Sequence, residues 1–215
     1  MIHHISDNHT IFNTYLAEMR DVKIQLDPLR FRKNLERVGM IMAYEVSKVL
    51  NYHVIEVETP LGTADCTIID QQPVLATILR AGLGMHLGFL EVFDRAENAF
   101  VSAYRKHSTT EEVDIHVEYM AAPNIDGKIL IISDPMLATG NSMQMVYQSL
   151  LGNGTPKKTI ICAAIAAPEA LIYLQDHLPK DTLYYVGAID KELTAQSYIV
   201  PGLGDAGDLA YGAKL

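Results

Sequence analysis

Residues Pro73 to Leu79 form a nearly unbroken apolar run, and runs of the same kind follow at Ala99–Tyr104, Lys128–Ser133 and Thr159–Ala166. Runs this short, without alternation, belong to strands covered on both faces, as in parallel sheets. Helices fit between them, one running from a Gly-rich turn to about Asp94 and two more at roughly 140–152 and 168–177. Strands alternating with helices predict an α/β fold, a parallel sheet flanked by helices, with a last strand at 183–189. A chain of 215 residues, 49% hydrophobic and 20% charged, suits one such domain. At that length it buries roughly 70% of its unfolded surface and needs no disulfide or metal staple.

The flanks read differently. Over residues 11–51, Leu16, Met19, Phe31, Leu35, Val38, Met42 and Val46 keep helical spacing. Asp27 is the expected N-cap of a second helix there, with Pro28 at its first position. Strands at Tyr52–Val57 and Cys66–Ile69 enclose a turn at Thr59–Gly62. Between 105 and 120, Val113, Ile115, Val117 and Tyr119 alternate with Asp114, His116 and Glu118, the pattern of a half-exposed hairpin arm or flap. From Gln196 onward glycine is frequent and no helix is expected.

Lone residues carry less. Tyr44, Tyr52, Tyr184 and Tyr185 read as packing residues, and His3, His4 and His9 as exposed on an N-terminal tail. Cys66 and Cys162 have no metal-ligand spacing and read as buried thiols. No apolar stretch reaches the roughly 18 residues of a membrane span, and residues 1–4 do not resemble a secretory leader. The expectation is a cytoplasmic protein with no membrane partner. A net charge of −9 argues against nucleic acid, which requires a basic footprint.

The segment most suggestive of chemistry is Ser133 to Ser142. Asp134 stands where the Ile129–Ile132 strand emerges, and ligands of parallel α/β folds bind outside the carboxyl ends of strands. Small residues then run into a helix, aiming backbone N–H groups, a helix dipole and the Thr139 and Ser142 hydroxyls at one point. That is a pocket for a phosphate dianion. A Walker A loop is excluded, since no lysine occurs between Lys128 and Lys157, and the Gly-x-Gly-x-x-Gly spacing is absent from this segment. A carboxylate before the cradle suits a pair of sugar hydroxyls. The bland alternative is an ordinary strand-to-helix turn with Asp134 solvated. Arg80 precedes Gly82 and Gly84, whose lack of side chains favours close approach of backbone to a ligand. Arg105 opens a small basic patch in which Lys106 and His107 read as a solvated loop.

Several segments, in order, resemble one family. Asp134-Pro135-Met136-Leu137-Ala138-Thr139-Gly140-Asn141-Ser142 is similar to the phosphoribosyl-pyrophosphate loop of uracil phosphoribosyltransferases. Ile78 to Met85 resembles their pyrophosphate-side loop, and Tyr198 to Asp208 their uracil-binding signature; Leu16–Asp21 and Tyr104-Arg105 also fit. The resemblance implies a phosphoribosyltransferase-type sheet with a β-arm or flap and a C-terminal hood. It also implies one domain over 1–215: helices at 11–51, a core at about 52–190 and a base-binding hood at about 191–212. Arg80, Arg105, Asp134 and Asp205 would be the catalytic residues. The donor would be held by Arg80, Arg105, Asp205 and the loop from Asp134 through Ser142, and uracil by Ile199, Gly204, Asp205 and Ala206. Mg²⁺ would arrive with the donor, without direct protein ligands. GTP would be an effector, as in some bacterial members, and the chain would form a dimer or larger homo-oligomer.

The chain departs from the family pattern at Asn141, where a second glycine is usual, at His86-Leu87, where the pair often ends in Asp, and at Leu209, where a basic residue is frequent. Phosphoribosyl transfer displaces pyrophosphate from C1 of the ribose with cation-like character at the sugar. Arginines opposite the leaving group and carboxylates near the sugar are the residue types it needs. Two other readings remain: transfer to another nucleobase, and a nucleotide-binding regulatory protein that kept the fold.

Overall fold

The computed structural model describes the backbone of residues 1–107 and 113–214, and the side chains of 1–102 and 119–214. Its elements in chain order are β1 (Ile2–His4), α1 (Ile11–Arg20), α2 (Pro28–Ser47), β2 (Tyr52–Thr59), β3 (Gly62–Ile69), β4 (Val74–Leu79), α3 (Leu83–Val92), β5 (Glu97–His107) and β6 (Val113–Ala121). There follow β7 (Ile129–Ser133), β8 (Met136–Leu137), α4 (Asn141–Leu150), β9 (Lys158–Ala166), α5 (Pro168–His177), β10 (Leu183–Ile189), β11 (Glu192–Leu193), β12 (Ile199–Val200) and α6 (Ala206–Tyr211).

The main sheet runs β1-β10-β9-β7-β4-β5-β6, with the short β8 beside β9. All of its pairings are parallel except β5 with β6, the arm the sequence pattern predicts. Strand periodicity then sorts the side chains. Leu75, Ile129, Ile131, Ile160, Cys162 and Tyr185 join one core with residues of α1, α2 and α3. Val74, Ala76, Leu130, Ile132, Ile161 and Tyr184 join the other, with α4 and α5. Each central strand is thus apolar on both faces, which accounts for the unbroken runs.

Asp27 caps α2 as expected, accepting from the Leu29 and Arg30 amides at 2.9 and 3.2 Å. β2 and β3 pair along their whole length as a separate hairpin.

Some expectations fail. Residues 2–4 are an edge strand on β10 rather than a free tail. His3 and His4 are accordingly half-buried, His3 stacking on Tyr185 with 4.4 Å between ring centroids, while His9 is exposed. Tyr44 and Tyr52 are exposed, and Cys66 is only half-buried, because the two-stranded hairpin and the outer face of α2 have nothing packed on them in this chain. Lys106 and His107 continue β5 instead of forming a loop. The C-terminal segment does contain a helix, α6, six residues long and N-capped by Asp205. A single turn and a half beside Gly204, Gly207 and Gly212 has too little propensity to be read from composition.

Candidate active site

The strand order reverses between β4 and β7: the chain runs outward from β4 to β5 on one side and from β7 to β9 and β10 on the other. Loops leaving the carboxyl ends of β4 and β7 therefore diverge and open a crevice, the usual ligand position in such sheets. Arg80 leaves β4 and Asp134 leaves β7, on strands joined by the Thr77–Ser133 register and by a Thr77 Oγ1 bond to the Ser133 carbonyl at 3.3 Å. The two ends of the predicted site are thus brought to one crevice.

On the β7 side, Asp134 and residues Met136 to Gly140, with Ser142 and Met143, enclose a cavity of about 60 Å³, space for about two waters. Gly140 closes it with φ +86, and a Cβ there would meet the Ala170 carbonyl at 3.1 Å, so the turn into α4 requires glycine. Ser142 and Met143, in the first turn of α4, line this space, and the amides of a helix's first turn have no intrahelical partners. Pro135 and Asn141 belong to the segment but do not line the cavity. Pro135 lends its carbonyl to the Ile165 amide at 3.0 Å, and the Asn141 amide approaches Thr139 Oγ1 at 3.4 Å. A larger cavity of about 350 Å³ lies beside His3, Ile41 and Tyr185 and contains none of the predicted residues.

Asp134 is only partly open to the crevice, and its carboxyl is pushed up to about 8. Burial is the main cause, the charge of Asp205 adds to it, and a bond from the Met136 amide opposes it. The hood therefore sits close enough for Asp205 to act on Asp134, linking two predicted residues 71 positions apart. Asp205 itself accepts from the Asp208 amide at 3.0 Å, capping α6.

The hood is β11, β12, the turn after them and α6. The side chains of α1, α2 and the α1–α2 turn hold it down. Arg32 donates to the Ala210 carbonyl at 2.7 Å. Gln25, in the amide orientation its neighbours demand, donates to Met19 and Leu203 carbonyls at 3.2 and 2.7 Å. Arg20 forms a two-pronged ion pair with Asp190, at 2.9 and 2.6 Å. Gly207 faces Ala81 across the gap, where a Cβ on the glycine would stand 3.7 Å from that of Ala81, so α6 rests on the turn after β4. Ile199 lies on β12, while Gly204 (φ +87) and Ala206 lead into α6.

Arg80 also reaches the hood. Its Nη2 donates to Asp208 Oδ1 and to the Gly212 carbonyl, each at 3.1 Å, on an exposed surface. Arg105 lies on β5 opposite Ile115; its side chain falls outside the described residues. Gly82 and Gly84 are required by their own chain. A Cβ on Gly82 would stand 2.2 Å from Thr77 Oγ1, and one on Gly84 would stand 3.0 Å from Leu35 Cβ. Their smallness seats α3 against β4 and α2. Of the departures from the family pattern, His86 is buried in α3, Leu87 faces outward, and Leu209 packs against the first core.

Sequence reasoning missed Asp190. Like Asp134 it is a carboxylate immediately after a buried strand, and that position was the signal available. Among the described residues no three His, Cys, Asp or Glu side chains converge as a metal site.

Sheet order, crevice and hood together make a type I phosphoribosyltransferase fold, and a hypoxanthine phosphoribosyltransferase from Staphylococcus aureus shares it at TM-score 0.51. That structure is 14% identical, with 75% of this chain and 76% of the other covered, so the likeness concerns the fold alone. The AQ2163 protein of Aquifex aeolicus superposes at TM-score 0.88 over all of both chains, with 31% identity. The family model described as uracil phosphoribosyltransferase matches residues 5–213. A uracil phosphoribosyltransferase of Porphyromonas gingivalis is 55% identical over 99% of this chain and 98% of its own, and one from Methanothermobacter thermautotrophicus is 40% identical over 87% and 86%. The chain belongs to the uracil phosphoribosyltransferase family.

Proposed function

We propose that the protein transfers the phosphoribosyl group of phosphoribosyl pyrophosphate to a ring nitrogen of uracil, giving UMP and pyrophosphate in pyrimidine salvage. The observation that carries this reading is the nearness of Asp205 of the hood, whose charge raises the Asp134 carboxyl, to the cradle beside Asp134.

The cradle at 136–143 takes the 5-phosphate through backbone amides and the Thr139 and Ser142 hydroxyls. This leaves the ribose hydroxyls over Asp134. Hydroxyl donors and the positive charge that grows at C1 both favour an ionised carboxyl, so substrate binding draws Asp134 down from its raised value and drives off its proton. As the bond from C1 to the pyrophosphate oxygen breaks and the bond to the uracil nitrogen forms, the leaving group keeps the electron pair of the C–O bond, and the N–H of that nitrogen gives up its proton to solvent or to the departing pyrophosphate. Arg80 stands on that side. Its exposed bond to Asp208 is of the kind worth no more than about 1 kcal/mol, so exchange for a polyanion costs little. Losing such a cation should cost on the order of 2–4 kcal/mol of transition-state stabilisation. Arg105 is assigned to the same role by its motif. Ile199, Gly204, Asp205 and Ala206 offer a compact backbone edge to a planar base.

Magnesium suits this arrangement because Asp134, whose carboxyl is raised by burial and by the nearby charge of Asp205, lies beside a polyanion site, and these two carboxylates are hard oxygen groups that would hold a hydrated cation. When bound it would supply positive charge to the pyrophosphate; Asp134 and Asp205 would orient its waters. GTP activation, a homo-oligomer and a cytoplasmic location are proposed alongside.

One assay tests the reading: purified protein, donor, Mg²⁺ and either uracil, adenine, hypoxanthine or xanthine, with and without GTP. UMP formation that greatly exceeds turnover of the purine bases is expected. Preferential use of another base, or no nucleotide from any, would refute it.

A further inference from the structure

The turn that joins β12 to α6 has an unusual anchor. Asp190, 8% exposed at the end of β10, accepts from both amino groups of Arg20. The same pair takes both backbone groups of Gly202: its N–H donates to Asp190 Oδ2 at 2.9 Å, and its carbonyl accepts from Arg20 Nη1 at 2.7 Å. Gly202 has φ +65, and a Cβ there would stand 2.1 Å from the Ile199 carbonyl oxygen. The position excludes a side chain, so at Gly202 the turn is held through its peptide groups. These are met by a two-pronged, charge-assisted pair, the most directional anchor available to a protein.

Arg20 comes from the end of α1 and Asp190 from the end of the sheet, so the clasp references the turn to two rigid elements at once. Ile199 lies three residues before Gly202, and Gly204 two residues after it. We infer that Arg20 and Asp190 are positioning residues that set the placement of the uracil-binding edge, acting through Gly202 and touching no substrate. The inference rests on the uracil reading above. It weighs more on base recognition than on donor recognition, because the 136–143 cradle hangs on β7, β9 and α4 and only Asp205 of the donor's contacts lies in the hood.

The test compares wild type with Arg20→Lys, which keeps the charge but loses the fork, and Asp190→Asn, which keeps the shape but loses the charge. Initial rates are measured with uracil varied at saturating donor, and the reverse. Hydrogen exchange is followed on peptides covering 199–205. The KM for uracil should rise about tenfold to a hundredfold, as for an ångström-scale misplacement, while the KM for the donor rises severalfold less and exchange in 199–205 accelerates. An unchanged KM for uracil, or a parallel rise in both KM values, overturns the inference; if Asp190→Asn does not fold, Arg20→Lys decides alone by the same split. A wild type that forms no UMP refutes the uracil reading itself, and is told apart because it needs no variant.

Discussion

Asp134 binds a proton more tightly in the folded protein than in the unfolded chain, where a carboxyl of its kind titrates near 4. With the folded value at about 8, the folded state holds the extra proton between those limits, and folding stability falls as pH climbs through them. Asp134→Asn removes that cost. The variant should melt above wild type at pH 8.5, by roughly 2–4 °C for each kcal/mol recovered, with the gain fading toward pH 4. Calorimetry at a series of pH values checks the slope, and a variant that melts below wild type at pH 8.5 contradicts it. The same change should lower kcat/KM at least about a hundredfold, comparable with loss of one preorganised electrostatic group. A residue strained for function and relaxed by its own removal is the usual signature of an active site.

At the scale of elements, α2 and α3 lie against each other through glycine. A Cβ on Gly39 would stand 2.2 Å from the Met85 carbonyl oxygen, and one on Gly88 would stand 2.0 Å from that of Glu36. Both obstacles are backbone and cannot swing away. Gly88→Ala should therefore cost about 1–3 kcal/mol through overpacking. Gly152→Ala, with open space at its Cβ position, should leave the melting temperature nearly unchanged. Thermal melts of the two variants make the comparison, and equal behaviour would mean that the helix contact is looser than described.

These elements also show what was legible in the sequence. Central strands such as β7 and β9 announce themselves because burial on both faces confines their polar residues to the strand ends. The Asp134 loop was legible because its chemistry is local. β1 was not, since three residues carry no periodicity and their pairing is set by a partner some 180 positions away. The Arg20–Asp190 pair was hidden for the same reason. Gly82 and Gly84 were found for a sound reason, close approach, but what approaches them is their own chain.

Over the whole molecule, the N-terminal residues complete the sheet. Ile2, His3 and His4 register with Tyr184, Tyr185 and Val186, and Ser6 Oγ donates to the Gly187 carbonyl at 2.6 Å. Deleting residues 1–4 would leave β10 as an open edge, a template for pairing with other chains. The truncated protein should melt lower by about 2–4 °C per kcal/mol lost and aggregate faster on warming, read by light scattering. Unchanged melting and scattering would make β1 dispensable.

The first strand of the sheet thus takes its place only after nearly the last one exists. On a ribosome adding roughly 5–20 residues per second, Ile2 to His4 wait roughly 10–40 s for β10 to be made. Throughout that interval the nascent sheet has no finished border on this side.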